Sequence, residues 1–432
     1  MTSIGFLGDD LTGAGDVLAQ AHRHGLEAAM VIGDGPLPRD ADVVGIAGPI
    51  RSLGGEPFAE LVSSGLARLA ALEPDVLLYK VCSTFDSSPE IGSIGRGISL
   101  LHRQFGDHGP IAVAPAQPGF GRFTAFSDHY AAHAGTVHRL DRHPVMSVHP
   151  STPMHDADLR RVLAAQLEAG EQVREIHLPA YDDGTFAQAW AERRRETGTA
   201  AFVVDATREE HLDAIARELL QDAAGSGPAL VVGSGGIMGA LARLTSNAAP
   251  PEPPEHRASG PVLAVSASAS AVTAGQLRDA IEHGWADVAL PSTMLHGDDA
   301  GLAAEWESRV AEALAAGQDV VVHSTRGPGD ARFVDDRPVA PAHVGSLIGG
   351  LAARMAEEGL TRDIAIFGGD TSSHALIAMG VRELRVAHQF VTAGPVLRSP
   401  DPPVAGCRLL LKGGQVGPVD ILRRFAGQIP HA

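Results

Sequence analysis

Short apolar runs alternate with amphipathic stretches along most of this chain, and several of the apolar runs end in loops of glycine, hydroxyl and acidic residues. This alternation is typical of a parallel sheet with helices on both faces. Because ligands bind beyond the carboxyl ends of such strands, functional residues are expected in the loops that follow them. The predicted strands are residues 3–7, 28–32, 43–47, 76–79, 111–114, 202–204, 230–232, 262–265, 320–323, 364–367 and 409–411. The predicted helices are residues 12–24, 56–72, 158–168, 186–195, 209–222, 270–283 and 342–358.

A proline-rich segment divides the chain. Residues 247–259 read NAAPPEPPEHRAS, and so many prolines cannot continue a helix or a central strand. The 432 residues also exceed what one compact core usually holds, at about 100–200 residues per domain. We therefore predict two α/β domains with mainly parallel sheets flanked by helices. They cover residues 1–246 and 260–432 and are joined by the linker 247–259.

The composition argues against several classes of protein. The chain has 34 Lys and Arg against 52 Asp and Glu, a formal net charge of −18, whereas nucleic-acid binders need clustered cations. Its two cysteines, Cys82 and Cys407, form no metal or disulfide motif. The start of the chain has no signal-peptide pattern, and no apolar run is long enough to span a membrane. We expect a cytoplasmic protein that binds neither nucleic acid nor membranes.

Two adjacent acids follow the first predicted strand. Residues 8–13 read GDDLTG, so Asp9, Asp10 and Thr12 lie where this strand passes into the first helix. A carboxylate at this position can accept a proton from a substrate hydroxyl and can bind neighbouring hydroxyls. The alternative is that these side chains only cap the helix. Two acids flanked by glycines favour the functional interpretation, a site for a small polyol.

Two further loops of the first half carry cations. Lys80 follows a predicted strand and precedes a hydroxyl-rich segment with Ser83 and Thr84, which suits a carboxylate or a phosphate. Arg122 ends the proline- and glycine-rich loop APAQPGFGR, and a guanidinium can bind a carboxylate through two hydrogen bonds. Taken singly, a serine-rich turn with a solvated lysine and an ordinary surface arginine are the simpler interpretations.

Three loops of the second half share a strand-to-helix design that suits phosphate. Small and hydroxyl residues let backbone N–H groups approach phosphate oxygens, and the helix dipole adds to the attraction. Each loop alone could be an ordinary turn, but three in one domain favour an anion site. The chain has no Walker A pattern, and no GxGxxG opens its first βα unit. The candidate residues are Ser266, Ser268, Ser270, Gly368, Gly369, Asp370, Thr371, Lys412, Gly413 and Gly414.

Taken together, these motifs resemble those of the four-carbon acid sugar kinase family. The resemblance rests on GDDLTGAGD, APAQPGFGR, SASASAVTAGQ, FGGDTSSHAL and LLLKGGQVG, and it runs nearly end to end. It implies an N-terminal domain that binds an acid sugar, a C-terminal domain that binds ATP, and an active site in the cleft between them. By position, the acid site would comprise Asp9, Asp10, Thr12, Lys80, Ser83, Thr84 and Arg122.

The resemblance also implies an activity, that of an ATP-dependent phosphotransferase with an alcohol acceptor. Asp9 or Asp10 would hold the terminal hydroxyl of the acid, one of them as base, and Mg²⁺ would accompany ATP with Asp370 as a candidate ligand. The segment after Lys80 reads CSTFDSS, where the resemblance leads us to expect a sequence like DSTLRGN. The expected substrates are therefore a 3-oxo-tetronate, a tetronate, or a branched or longer oxo-acid such as 3-oxo-isoapionate.

Two other functions stay open at this point. A sugar-acid dehydrogenase would need a dinucleotide fingerprint, which the sequence lacks. A non-catalytic sugar-acid sensor would bind its ligand without turnover, and the three anion-type loops of the second half count against it. The sequence does not fix the assembly, for which a homodimer is one option.

Overall fold

The computed structural model describes residues 2–429 except 107, 150, 226, 250, 252–256, 298–300, 328–329, 331–338, 392–393 and 415. The chain forms two compact units. The first consists of Met1–Ala28 and Leu37–Pro250, and the second of Ala29–Pro36 and Pro251–Ala432. Residues 250 and 252–256 of the predicted linker lie outside the described residues. Every helix within the described ranges is too short or too polar to cross a membrane.

The first part of the chain alternates strands and helices, with three short strands inserted after the fifth. From Ile4 to Thr245 the elements are β1 (Ile4–Gly8), α1 (Leu11–Arg23), β2 (Ala28–Ile32), β3 (Val43–Ala47), α2 (Gly55–Ala70), β4 (Val76–Lys80), α3 (Ile94–Phe105), β5 (Ile111–Ala114), β6 (Arg122–Ala125), β7 (Asp128–His133), β8 (Thr136–Arg139), α4 (Leu159–Ala164), β9 (Gln172–Ile176), α5 (Pro179–Asp182), α6 (Phe186–Arg193), β10 (Thr199–Val204), α7 (Glu209–Asp222), β11 (Ala229–Gly233) and α8 (Gly235–Thr245).

The sheet of the first unit is parallel throughout, in the order β3-β1-β4-β11-β5-β10-β9. Its central strands are fully buried, which explains their continuous apolar sequences. The register aligns their carboxyl ends: Gly8 lies opposite Lys80, and Gly233 lies opposite both Lys80 and Ala114. The loops that follow these strands therefore share one edge of the sheet. A separate antiparallel sheet, β6-β7-β8, completes the unit.

The second unit repeats the α/β design and ends in an antiparallel extension. From Val262 to Ala426 the elements are β12 (Val262–Ser266), α9 (Ala271–Glu282), β13 (Ala286–Ala289), α10 (Ser292–Leu295), α11 (Ala303–Ala315), β14 (Val320–His323), α12 (Pro341–Glu357), β15 (Asp363–Phe367), α13 (Gly369–Ala378), β16 (Glu383–Val391), β17 (Gly394–Arg398), β18 (Arg408–Lys412) and α14 (Ile421–Ala426).

Five strands of the second unit are parallel, in the order β13-β14-β12-β15-β18, and β17, β16 and β2 continue the sheet in antiparallel pairs. Ser266 lies opposite Phe367, which lies opposite Lys412, so three predicted anion loops again start from one edge. The predicted α/β class with mainly parallel sheets is confirmed. The segment Ala29–Pro36, which we expected in the first domain, belongs to the second unit because β2 pairs with β16.

Gly45 offers a test of the packing in the first sheet. A Cβ atom at this position of β3 would lie 2.0 Å from the fully buried ring of Phe6. We expect Gly45→Ala to lower the free energy of unfolding by about 1–3 kcal/mol, because the ring has no free space to move into. Thermal unfolding of the purified chain measures the change. Gly260→Ala is the control, since a Cβ there meets nothing within 4 Å. Equal melting temperatures for the two variants would contradict this packing.

Candidate functional site

A buried ion cluster occupies the carboxyl edge of the first unit's sheet. The register places Lys80, the last residue of β4, beside Gly8 at the end of β1. The backbone N–H of Asp9 donates to the carbonyl of Lys80 at 3.0 Å. The Lys80 ammonium reaches Oδ1 of Asp9 and Oδ1 of Asp10, both at 3.2 Å. All three side chains are almost fully buried, with exposures of 2%, 4% and 3% for Lys80, Asp9 and Asp10.

Asp10 is the most heavily coordinated group of this cluster. It is the N-cap of α1 and accepts a hydrogen bond from the Gly13 N–H at 2.9 Å, so Asp10 does cap the helix, as the alternative interpretation stated. Its Oδ2 also accepts from the Thr12 hydroxyl at 2.9 Å and pairs with the Arg51 guanidinium at 3.0 Å. With Lys80, four donors surround this carboxylate. Asp10 therefore both starts the helix and holds two cations.

Asp9 has fewer partners. Its Oδ1 accepts from Lys80, and its Oδ2 accepts from the backbone N–H of Cys82 at 3.1 Å. Burial raises the pKa of Asp9, and Lys80 only partly opposes this effect. Burial would also raise the pKa of Asp10, but Arg51 and Lys80 outweigh it and hold that pKa well below its usual value. The two adjacent carboxyls thus have different proton affinities.

Arg51 belongs to this ion cluster although no motif of the sequence indicated it. It lies in the 3₁₀ turn Ile50–Ser52 after β3, and its backbone N–H donates to the carbonyl of Asp9 at 2.8 Å. Its guanidinium pairs with Asp10 and lies 3.7 Å from Oδ2 of Asp86. The one feature of the sequence that could have indicated Arg51 is its position shortly after the predicted strand 43–47. No local pattern indicates that this strand lies beside β1.

The segment after Lys80 is brought to the cluster through Asp86. The Thr84 hydroxyl donates to Oδ1 of Asp86 at 2.6 Å and contacts Sγ of Cys82 at 3.0 Å. Burial raises the pKa of the Cys82 thiol to about 12, so this thiol stays protonated and lines the cluster as an uncharged group. Ser83 contributes its carbonyl, which contacts Nε2 of His129 at 2.8 Å.

Arg122 differs from the other cations because no carboxylate of the described chain pairs with it. Its Nη1 donates to the carbonyls of Phe120, Gly121 and Ala132 at 3.1–3.3 Å. The guanidinium lies 4.8 Å from the centre of the Phe120 ring, and its buried Nε has no partner among the residues described. Of Lys80, Arg51 and Arg122, only Arg122 thus has no anionic partner among the described residues.

Asp16 explains two further motifs of the first half. Its carboxylate accepts from Nε2 of Gln117 at 2.8 Å and from Nε2 of Gln20 at 3.3 Å, so it ties α1 to the loop 114–124. A Cβ atom at Gly235 would lie 2.1 Å from Oδ2 of Asp16, which accounts for the glycine that follows Ser234. Asp16 therefore fixes the loops that surround the ion cluster.

Three loops of the second unit meet as the sequence indicated. A Cβ atom at Gly414 would lie 2.8 Å from the Ser268 hydroxyl and 3.2 Å from Cβ of Ser270. At Gly368, with φ of +127°, it would lie 3.5 Å from the backbone nitrogen of Ser268. The loops after β12, β15 and β18 thus approach within contact distance around Ser268. Asp370 and Thr371 lie in α13, but their side chains are outside the described residues.

Models of two domain families match this chain. A domain described as a sugar-binding N-terminal domain matches residues 4–241, and one described as a nucleotide-binding C-terminal domain matches residues 263–422. A 3-oxo-isoapionate kinase of Paraburkholderia graminis is 32% identical, over 96% of this chain and 92% of the relative. A 3-oxo-tetronate kinase of Pectobacterium atrosepticum is 28% identical, over 98% of both chains.

The fold is also found among solved structures. A crystal structure from Salmonella typhimurium LT2, provisionally described as a tRNA synthase, superposes with a TM-score of 0.80 at 25% sequence identity. The match covers 100% of both chains. The arrangement of elements described above is therefore shared over the whole length.

Gly13 provides a test of the ion cluster. A Cβ atom at Gly13 would lie 1.8 Å from Nζ of Lys80 and 2.4 Å from Oδ1 of Asp10. We expect Gly13→Ala to displace the lysine from its carboxylates, and to lower the free energy of unfolding by about 3–5 kcal/mol if the charges stay buried unpaired. Thermal unfolding measures this loss, with Gly275→Ala in helix α9 as the control, since a Cβ there has only an ordinary contact, 3.8 Å from Cγ2 of Val419. A Gly13→Ala protein as stable as wild type would contradict the cluster.

Proposed function

Because the chain belongs to the four-carbon acid sugar kinase family, it is a sugar-acid kinase, and we propose that it transfers the γ-phosphoryl group of ATP to a terminal hydroxyl of an oxo-sugar acid. The first unit would hold the acid and the second unit the nucleotide. The observation that carries the proposal is the buried cluster of Asp9, Asp10, Lys80 and Arg51, where two adjacent carboxyls differ in proton affinity.

The two carboxyls suit different tasks. Asp10 is fixed as an anion by four donors, so it would organise Lys80 and Arg51 and would not exchange protons. Asp9 accepts from two donors and has a raised pKa, so it is the better acceptor for the proton of the attacking hydroxyl. Phosphoryl transfer needs positioning more than covalent help, and a rigid cluster meets that need.

The charges of the first unit suggest where the acid's own carboxylate would bind. Lys80 and Arg51 are already paired with carboxylates of the chain. Within the described part of the chain, Arg122 contacts only carbonyls and an aromatic ring, so it can gain a partner without losing one. We assign the substrate carboxylate to Arg122, and in this proposal Thr84 and the backbone of residues 82–84 would complete that end of the acid site.

The relatives guide the choice of acid. The 32% identical relative is named a 3-oxo-isoapionate kinase, and the relatives at 28–29% identity are named 3-oxo-tetronate kinases. We therefore propose 3-oxo-isoapionate as the first substrate to test, with 3-oxo-tetronates and tetronates next. The dehydrogenase and sensor alternatives are not favoured, since these relatives are kinases over nearly their whole length.

ATP fits the converging loops of the second unit. The loops around Ser268 and Gly414 present small residues to one another, and the buried amine of Lys412 lies next to them. Mg²⁺ normally accompanies ATP through phosphate oxygens and water. The described residues contain no cluster of three potential metal ligands, so we assign none of them to Mg²⁺. The side chain of Asp370 lies outside the described part of the chain.

A coupled ADP-release assay over a panel of four- to six-carbon acids and oxo-acids tests the proposal. We expect acid-dependent ADP formation, highest with 3-oxo-isoapionate or a 3-oxo-tetronate, and a phosphorylated product detectable by mass spectrometry. Product analysis matters because water can also accept the phosphoryl group. Absence of any acid-dependent ADP or phosphorylated product across the panel would refute the assignment of the acid.

Replacing Asp9 tests its role as base. We expect Asp9→Asn to lower kcat about 10²–10⁴-fold with nearly unchanged ADP affinity, because the amide cannot take the hydroxyl proton. Asp10→Asn should, in addition, lower the free energy of unfolding, because Lys80 and Arg51 lose the anionic partner that they share. The exposed Asp183→Asn is the matched control and should behave as wild type. An Asp9→Asn enzyme with full kcat would remove Asp9 from the proton transfer.

The raised pKa of Asp9 sets the direction of the pH dependence. A base works only when deprotonated, so kcat should fall as pH decreases through a pKa above the ordinary aspartate value of 3.8. Asp10, with its lowered pKa, should stay ionised over this range. A pH–rate profile of wild-type enzyme measures the effect. A profile that stays flat down to the acid-unfolding limit would contradict the assignment.

A further inference from the structure

The side chain of Lys412 is buried in the second unit among neutral groups. Lys412 ends β18 and has an exposure of 0%. Its Nζ lies 3.1 Å from the Thr273 hydroxyl oxygen, 3.0 Å from the Gly413 carbonyl oxygen and 4.3 Å from the centre of the Phe367 ring. These contacts offer hydrogen bonds and a polarisable face, but no counter-charge.

The direction of the hydrogen bonds links this amine to the loops above it. The Thr273 hydroxyl has one hydrogen, which it donates to the Gly414 carbonyl at 2.8 Å. Its oxygen must therefore accept from Lys412. The chain Lys412–Thr273–Gly414 thus ends at the turn that contacts Ser268 and Ser270. The position of the amine is fixed directly beneath the converging loops.

The ionisable side chains described on the surrounding elements are paired elsewhere or are at least partly exposed to solvent. Asp363 at the start of β15 pairs with Arg408 at the start of β18, at the opposite end of the sheet from Lys412. Asp279 on α9 pairs with Arg423 at 2.7 Å. On α13, His374 is partly exposed, and the side chain of Asp370 lies outside the described residues. Thus no carboxylate in the described part of the chain neutralises Lys412.

A buried ammonium without a counter-ion is costly, so the neutral amine is favoured. Burial accordingly lowers the pKa of Lys412 to about 7. A phosphate anion at the turn Gly413–Gly414 would supply the missing charge and favour the ammonium. Protonation of the lysine and occupation of the loops by an anion would then stabilise each other.

We propose that Lys412 takes up a proton from solvent when the loops of the second unit bind the phosphates of a nucleotide, so that nucleotide affinity is linked to pH through this one buried amine. The inference rests on the proposed nucleotide site and adds its regulation. The step forms one N–H bond at Nζ, and the proton comes from water or buffer. At acidic pH the site is already charged, whereas at alkaline pH each binding event must first recruit the proton.

Isothermal titration of the full chain with ADP tests this linkage. Titrations at pH 8.5 in buffers of different ionisation enthalpy give the number of protons exchanged. The phosphates of ADP, with a second pKa of about 6, contribute little at this pH. We expect uptake of about one proton per ADP, and a Kd that rises about tenfold per pH unit between pH 8 and 9. ADP binding without proton uptake would overturn the inference and leave the kinase assignment intact.

Variants assign the proton to its residue. Lys412→Arg keeps a permanent charge, so its binding should show no proton uptake and little dependence on pH. His374→Gln removes the other titratable side chain described on α13 and should keep the wild-type uptake. Uptake that persists in Lys412→Arg, or disappears in His374→Gln, would overturn the assignment to Lys412. Failure of wild-type chain to bind ADP at any pH would instead refute the nucleotide site, a separate outcome.

Discussion

The contact of one buried ammonium with two adjacent carboxylates constrains much of the first unit. Lys80 can reach Asp9 and Asp10 only because β4 and β1 run parallel and in register, with Gly8 opposite Lys80. It also needs a residue without a side chain at Gly13. Of these two carboxylates, Asp10 also caps α1 and pairs with Arg51. Sheet register, helix start and charge balance are therefore different aspects of one cluster, and a change in any of them would leave buried charge uncompensated.

Much of the architecture could be predicted because local patterns of apolar and polar residues determine its strands, helices and loops. The strands of both sheets are apolar runs buried on both faces, and the loops that follow them carry the polar residues. The rule that parallel strands share one functional edge then placed Asp9, Asp10 and Lys80 together. The same rule brought the loops near Ser268, Gly368 and Gly414 together. For these residues, sequence position alone carried the spatial information.

The remainder depends on which strands become neighbours, which local patterns do not encode. Arg51 was missed because nothing in the sequence states that β3 lies beside β1. The small sheet β6-β7-β8 was missed because its strands are short and only half buried, so their alternation is weak. Lys412 was predicted among the residues around ATP, and that prediction stands; what the sequence did not indicate is its complete burial, with Thr273 and Gly413 accepting hydrogen bonds from its amine.

The path of the chain has a consequence for its biosynthesis. The strand β2 is translated early, yet it pairs with β16, more than three hundred residues later in the sequence. Nearly all of the first unit is therefore synthesised before β16. During this time β2 remains without β16 as its hydrogen-bonding partner. A fragment beginning after the proline-rich segment would leave the Glu383–Val391 strand with an open hydrogen-bonding edge, the feature that promotes association between chains. The second unit therefore cannot be expressed completely as one contiguous segment of the chain.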